Sequence, residues 1–187
     1  MLPHVDPETF RLFVQYIYSR KITLRFHNIN PRDDTEPTDS PNHSQVCGDQ
    51  DETLVKLWVL ARDFQIADLQ NHVVENIMKC LVGCGMMRPS CYKYVYDNTK
   101  PGSVLRKLVV DLCCWYPNEE TFYDNGKGRD SKFPYEMLVD IAKTFHKATA
   151  DNHNRRLKED EEGDEPKGEP IRKWYKVGLA FSKYHIW

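Results

Sequence analysis

The sequence predicts a mainly α-helical protein, and three observations support this. Apolar residues recur every three or four positions in several separate segments, which is the spacing of one helix face. Residues that begin or interrupt helices, namely Asp, Ser, Pro and Gly, stand between those segments. The length of 187 residues favours one core with extensions over two full domains.

The first predicted helix begins at Asp6 and Pro7. An Asp side chain can accept hydrogen bonds from the free amides of the first turn, and Pro lacks the amide that would have stayed unpaired there. The helix is expected to end near Arg20. Its apolar residues recur at helical spacing: Phe10, Phe13, Val14, Ile17 and Tyr18.

Two polar stretches are predicted to lack stable structure. Residues 27–52 hold three prolines among Asp, Asn, Thr and Ser, with almost nothing apolar to bury, and are interpreted as a mobile insertion. Residues 148–170 contain an acidic run from Glu159 to Glu162 and are interpreted as a disordered segment. The acidic run is a solvated linker in this interpretation, although it could also bind a basic partner.

A helical hairpin is predicted between these two stretches. The first helix of the hairpin carries Leu54, Leu57, Trp58 and Ala61, and the second carries Leu69, Val73, Ile77, Cys80 and Leu81. The break falls between Phe64 and Ala67, so the two helices are expected to pack together around Trp58 and Ile77.

Three more helices are predicted in residues 83–147. A short one holds Tyr92, Val95 and Tyr96, and a longer one follows Ser103, whose hydroxyl can cap it. The last begins at Pro134, and its apolar face is expected to consist of Leu138, Ile141, Ala142 and Phe145. The final segment, residues 171–187, is aromatic and basic and gives no secondary-structure prediction.

Composition argues against nucleic acid and membranes as partners. The formal net charge is -2 and the pI is near 6.4, so the chain has no excess of positive charge with which to bind the phosphate groups of a nucleic acid. No apolar run approaches the roughly 20 residues that span a bilayer, and the first residues do not resemble a secretory signal. We therefore expect an intracellular protein, cytoplasmic or nuclear, whose six cysteines are reduced.

Three sequence segments resemble segments of BTB/POZ domains, and in particular of the fungal proteins of that family. Residues 6–22 (DPETFRLFVQYIYSRKI) resemble a helix of the domain, and residues 54–71 (LVKLWVLARDFQIADLQN) resemble the helical hairpin that follows it. Residues 94–113 (YVYDNTKPGSVLRKLVVDLC) are similar to the C-terminal extension of the fungal members. The three segments occur in the same order along the chain as in the family.

The resemblance implies a partial BTB/POZ domain in residues 1–82, which is the C-terminal helical part of an α/β fold, followed by a helical extension in residues 83–147. It also implies a non-catalytic protein-protein interaction module, an adaptor or scaffold. Dimerisation of the family, and its recruitment of a cullin ubiquitin-ligase scaffold, depend partly on the N-terminal half of the fold. We do not find that half in this sequence, so neither property is carried over to the chain.

Three side chains are candidate contacts for a partner protein. Phe13 and Tyr16 lie on a flank of the first helix that need not face the hairpin, although both could also be core residues. Without the N-terminal half of the fold, one apolar side of the hairpin is expected to be bare, with Trp58 in or near it. Self-association through that side is therefore expected.

No catalytic, metal or cofactor site is predicted. Cys80, Cys84 and Cys91, with His72, are the nearest approach to a zinc site, but structural zinc sites favour two close pairs of ligands and this set has one loose pair. No cysteine is paired with a base by any signature, and no phosphate-binding glycine loop occurs. The alternatives are a small zinc-binding or nucleic-acid-binding factor, and a truncated gene product without independent function.

Overall fold

The prediction of a mainly α-helical protein is confirmed. The computed structural model describes residues 5–24, 43–84, 87–115 and 133–162, and in these residues it contains six helices and no strand. The helices are α1 (Pro7–Ser19), α2 (His43–Asp63), α3 (Ala67–Cys84), α4 (Pro89–Asn98), α5 (Val104–Trp115) and α6 (Tyr135–Glu162). The helices α2 and α3 form the centre of the fold; α1 and α4 pack on α2, and α6 packs on α5.

Helix α1 has the boundaries that its sequence predicts. Asp6 is the N-cap, and its carboxylate accepts hydrogen bonds from the backbone amides of Glu8 (3.2 Å) and Thr9 (3.0 Å). The helix ends at Arg20, which adopts the left-handed conformation with φ of 56° and donates its N–H to the carbonyl of Tyr16 at 2.8 Å.

The predicted hairpin of α2 and α3 is confirmed. The turn is tight because Gln65 adopts a left-handed conformation with φ of 56°, and the amide of Ile66 donates to the carbonyl of Ala61 at 2.8 Å. The apolar residues predicted to pack in the hairpin are almost fully buried: Leu54, Leu57, Trp58, Leu69, Val73 and Ile77. The prediction of a bare apolar side is therefore wrong for these residues, because α1 and α4 cover α2 within the chain.

Helix α2 begins earlier than the sequence suggests. The predicted loop over 27–52 is wrong for residues 43–52, which form the first half of α2, while residues 27–42 lie outside the described residues. This half is anchored by small and polar side chains. Cys47 and Asp51 are buried, and the Gln50 amide donates to Sγ of Cys80 on α3 at 3.3 Å.

The Arg88 side chain fixes the same half of α2 to the start of α4. Its guanidinium forms an ion pair with Asp49 at 2.7 Å and crosses directly over Gly48. A Cβ atom at position 48 would overlap that guanidinium, so the glycine makes room for it. Arg88 is also the N-cap residue of α4.

A buried arginine organises the turn between α4 and α5. The Arg106 guanidinium donates to the backbone carbonyls of Tyr96 (2.7 Å) and Thr99 (2.5 Å) and to the Thr99 hydroxyl (3.1 Å). It also forms an ion pair with Glu136 on α6 at 2.7 Å. Because Tyr96 and Thr99 lie at the end of α4, Arg106 satisfies carbonyls there that lack a helical partner.

Helix α6 faces the core with only part of the predicted stripe, since Ile141 is buried as predicted. Met137 and Ile141 are buried, together with Phe133 just before the helix, whereas Leu138, Ala142 and Phe145 are exposed. The helix also continues to Glu162, so the predicted disorder over 148–170 is wrong for residues 148–162. Residues 163–170 and the aromatic and basic segment 171–187 lie outside the described residues.

Candidate interaction surfaces

The structure separates the three candidate partner contacts. Tyr16 and Trp58 are 1% and 3% exposed, so both side chains are core in this conformation. The Tyr16 ring meets the His72 ring of α3 edge to face, with centroids 5.3 Å apart. Phe13 is only half-buried, and it is the one member of the set that remains at a surface.

An apolar surface surrounds Phe13. The Phe64 ring, at the end of α2, lies against the Phe13 ring with centroids 5.2 Å apart. Phe10 and Ile17 stand three residues before and four residues after Phe13, so they share its side of α1. We call this surface the α1 patch and define it as Phe10, Phe13, Ile17 and Phe64.

The α1 patch is exposed for reasons that follow from the helix geometry. The other side of α1, formed by Thr9, Leu12 and Tyr16, is buried in the core. The apolar residues of α1 cover more of the helix circumference than the core can bury, so Phe10 and Ile17 remain 51% and 42% exposed. Phe64 is 47% exposed, and the sequence had predicted only that the hairpin breaks there.

A cleft of about 840 Å³ lies where the end of α2 meets the turn between α4 and α5. We call it the Trp58 cleft. Its lining consists of Trp58 and Arg62 of α2, Gln70 of α3, and residues at the end of α4 and the start of α5: Asp97, Asn98, Thr99, Lys100, Ser103 and Val104. One guanidinium nitrogen of Arg62 donates to the Asn98 carbonyl at 2.5 Å, which joins the two walls.

One deeply buried polar group beside the Trp58 cleft has no hydrogen bond in the described part of the chain. Trp58 is 3% exposed, and its indole N–H has no partner in the described part of the chain. Gln70 of α3 is 5% exposed and lies in the same lining. No sequence pattern predicts this arrangement, because Trp58 and Gln70 occupy ordinary positions of the hairpin helices.

The cysteines of the described residues are poorly suited to nucleophilic chemistry. Five cysteine side chains that the structure describes are buried: Cys47, Cys80, Cys91, Cys113 and Cys114. Burial raises the pKa of Cys80, Cys91 and Cys114 to about 12 and that of Cys113 to about 11. These thiols therefore stay protonated near neutral pH, whereas the thiolate is the reactive form.

Asp51 is the most perturbed carboxyl group of the described residues. It lies on α2 and is 5% exposed, near Cys80 of α3 and Cys91 of α4. Burial raises its pKa to about 7, and the positive charge of Arg88 offsets only part of that effect. Since such a group changes charge near neutral pH, it links the stability of this region to pH.

The residues considered for zinc lie on α3 and α4. Cys80 and Cys91 are buried on α3 and α4, Cys84 is the last residue of α3, and the His72 ring nitrogen Nδ1 lies 2.8 Å from the carbonyl of Asp68. Across the described ranges, no group of three His, Cys, Asp or Glu side chains could hold a metal ion. None of the helices in those ranges is long and apolar enough to cross a bilayer.

Comparisons of the chain with protein-family models, with curated proteins and with solved structures give no match.

Proposed function

We propose that this chain is a non-catalytic protein-protein interaction module that binds a partner protein through the α1 patch. The observation that carries the proposal is the group of three large apolar side chains, Phe10, Ile17 and Phe64, each about half exposed around the partly buried Phe13. Contiguous apolar surface of this kind is uncommon on isolated domains and is typical of binding sites.

The composition of the α1 patch indicates how the partner is bound. Three of its four members are aromatic, and aromatic side chains contribute much of the binding energy in protein interfaces. They lie on a rigid helix beside the end of α2, so a partner with an apolar groove or a complementary helix face could receive them with little reordering. A second copy of the chain is one such partner.

The non-catalytic part of the proposal is supported by the chemistry of the buried thiols. Four cysteines have a raised pKa and no sequence signature that pairs them with a base. The membership in the BTB/POZ family and the intracellular location remain proposals. Membership in the family is supported by the structures of two of the segments that resemble it. Residues 6–22 contain a helix and residues 54–71 contain the turn of a helical hairpin, as the resemblance implies.

The test uses the full chain and a matched pair of double variants. The Phe10→Ser, Ile17→Ser variant removes one aromatic and one aliphatic side chain from the α1 patch. The control, Tyr135→Ser with Leu138→Ser, removes the same kinds of side chain from an exposed face of α6, where they are 81% and 40% exposed. Light scattering over a concentration series measures self-association, and an apolar dye reports accessible apolar surface.

The wild type is expected to bind the dye and to self-associate as its concentration rises. The α1 variant should lose most of both signals with its helicity unchanged, because neither substituted side chain lies in the core. The control variant should keep both. A wild-type chain that stays monomeric and binds no dye would contradict the proposal, as would a control variant that loses as much as the α1 variant.

A further inference from the structure

We propose that Arg88 is a pH-sensitive switch between α2 and α4: its guanidinium pairs with Asp49 while the Asp51 carboxyl is protonated, and moves to Asp51 when that carboxyl ionises. We call these three residues the Arg88 switch. It shares no residue with the α1 patch and does not depend on the proposed function. It adds a way in which pH changes the contact between two helices.

Two carboxyl groups of α2 lie near the Arg88 guanidinium. The guanidinium forms an ion pair with Asp49 at 2.7 Å and lies directly over Gly48. Asp51 follows Gly48 by three residues, and residues three apart are neighbours on one side of a helix. The positive charge of Arg88 already acts on the Asp51 carboxyl. Since a guanidinium has five N–H donors, a short movement along α2 is enough for it to exchange one carboxylate for the other.

Asp49 and Asp51 differ in how much an ion pair with Arg88 stabilises them. The Asp49 side chain is 61% exposed, so water already stabilises its charge and the ion pair adds little. Asp51 is 5% exposed, so its ionised form is strongly destabilised unless a positive charge is close. The protonated Asp51 carboxyl is neutral and attracts the guanidinium only weakly. Arg88 should therefore prefer Asp49 before Asp51 ionises and Asp51 afterwards.

Arg88 is the cation among the groups that face Asp51. The other titratable groups that face it in the described part of the chain are Cys80 on α3 and Cys91 and Tyr92 on α4. Burial raises the pKa of both thiols to about 12 and also raises the pKa of the Tyr92 hydroxyl, so all three groups are neutral at pH 7. Burial raises the pKa of Asp51 to about 7. The exchange of partners by Arg88 therefore falls near neutral pH.

The exchange changes how α4 is attached to α2. Arg88 is the N-cap residue of α4, and its side chain reaches the first half of α2. Because Asp51 is more deeply buried than Asp49, the exchange draws the guanidinium inward. The two helices are therefore joined by an exposed ion pair at acidic pH and by a buried one at alkaline pH.

The experiment measures the coupling of Arg88 to each carboxylate in the full chain at pH 5 and at pH 8. Double-mutant cycles combine Arg88→Gln with Asp49→Asn and, separately, with Asp51→Asn, and denaturant unfolding gives the stability of each variant. The matched control is the exposed ion pair of Lys93 and Asp97 on α4, at 2.8 Å, with the variants Lys93→Gln and Asp97→Asn.

The coupling of Arg88 to Asp49 should be about threefold in the unfolding equilibrium constant at pH 5 and should nearly vanish at pH 8. The coupling of Arg88 to Asp51 should rise from less than about twofold at pH 5 to about tenfold at pH 8. In the Asp51→Asn background, the coupling of Arg88 to Asp49 should be the same at both pH values. The control pair should also show no change.

NMR of the arginine Nε–H signals gives a second measurement that does not require an Arg88 variant to be stable. The Arg88 signal is the one that Asp49→Asn displaces at pH 5. In the wild type it should move with a midpoint near pH 7, where Asp51 ionises. In Asp51→Asn it should stay in place from pH 5 to pH 8.

The inference would be overturned by a coupling of Arg88 to Asp49 that is equal at pH 5 and pH 8. It would also be overturned by an Arg88 signal that does not titrate in the wild type, or that titrates equally in Asp51→Asn. None of these results bears on the α1 patch, because the cycles substitute none of its residues.

Discussion

The guanidinium of Arg106 lies over the Tyr96 ring, 4.3 Å from its centroid, and forms an ion pair with Glu136 at 2.7 Å. This one side chain therefore joins α4, α5 and the first turn of α6. Its exposure is 7%, so the charge is almost completely removed from water and depends on its partners.

Replacing Arg106 with Met is expected to destabilise the chain by roughly 3 to 5 kcal/mol, because the substitution leaves the carbonyls of Tyr96 and Thr99 unpaired. Denaturant unfolding followed by circular dichroism measures the change. Glu136→Gln is the comparison: it removes the counter-charge of Arg106 but keeps an oxygen that can accept its hydrogen bond, so it should cost less than Arg106→Met. An Arg106→Met chain as stable as the wild type would show that the hydrogen bonds contribute nothing net.

The Asp51 carboxyl should make stability fall as the pH rises. Its folded-state pKa of about 7 is above the unfolded value of 3.8, so the folded state binds the proton more tightly. The resulting stabilisation is complete below the unfolded pKa and is lost as the pH rises through about 7. Between pH 5 and pH 8, we expect Asp51 to account for a loss of roughly 2 to 3 kcal/mol in the free energy of unfolding.

The Asp51→Asn variant tests this directly, since Asn has nearly the same shape and does not titrate. The difference in unfolding free energy between wild type and variant should change with pH in favour of the variant as the pH rises. Parallel stability curves for the two proteins from pH 5 to pH 8 would rule out the assignment.

The Asp6 N-cap of α1 should contribute about 1 to 2 kcal/mol to the free energy of unfolding, so Asp6→Ala is expected to lower that free energy by this amount. Asp6→Asn keeps a capping oxygen and should recover most of the loss. Burial alone would raise the pKa of Asp6, but hydrogen bonds from Thr9 and the charge of Lys56 outweigh it and hold the pKa below its usual value. Its contribution is therefore present above pH 3.8 and lost as the pH falls through the folded-state pKa.

A fall in stability of Asp6→Asn as large as that of Asp6→Ala would indicate that the charge of Asp6, rather than its capping oxygen, stabilises α1. Thermal unfolding at pH 7 distinguishes the two cases.

Trp58→Ala is expected to destabilise the chain by roughly 3 to 5 kcal/mol, because the side chain is 3% exposed and its removal leaves a cavity between α2 and its neighbours. Trp58→Phe should cost clearly less, since it keeps most of the apolar surface and removes an indole N–H that has no partner in the described residues. Equal losses for the two variants, measured by denaturant unfolding, would mean that the indole N–H is bonded after all.

The parts of the fold that the sequence predicts well are those with large apolar residues at regular spacing. Asp6 and Pro7 place the start of α1, and the break between Phe64 and Ala67 separates α2 from α3 as expected. The first half of α2 was missed because its buried positions are held by Cys47 and Asp51, which read as loop residues in a stretch rich in polar side chains.

The candidate surfaces were harder to predict than the helices. Periodicity alone does not show that Phe13 packs against Phe64 of the hairpin turn, or that Tyr16 turns into the core against His72. The predicted face of α6 is right for Ile141 but wrong for Leu138, Ala142 and Phe145, because the side of the helix that holds Met137 and Ile141 meets the core. Gln70 and Lys100 both line the Trp58 cleft, and no local sequence pattern predicts that residues this far apart in the chain line one cleft.

The passage of Arg88 over Gly48 makes these two positions interdependent. A side chain at position 48 and an arginine at position 88 cannot both occupy the observed space without a rearrangement, because the new Cβ would overlap the guanidinium. A side chain at position 48 should therefore displace the Arg88 guanidinium from its observed place beside Asp49. In a laboratory selection starting from Gly48→Val, the first compensating mutations are expected at Arg88.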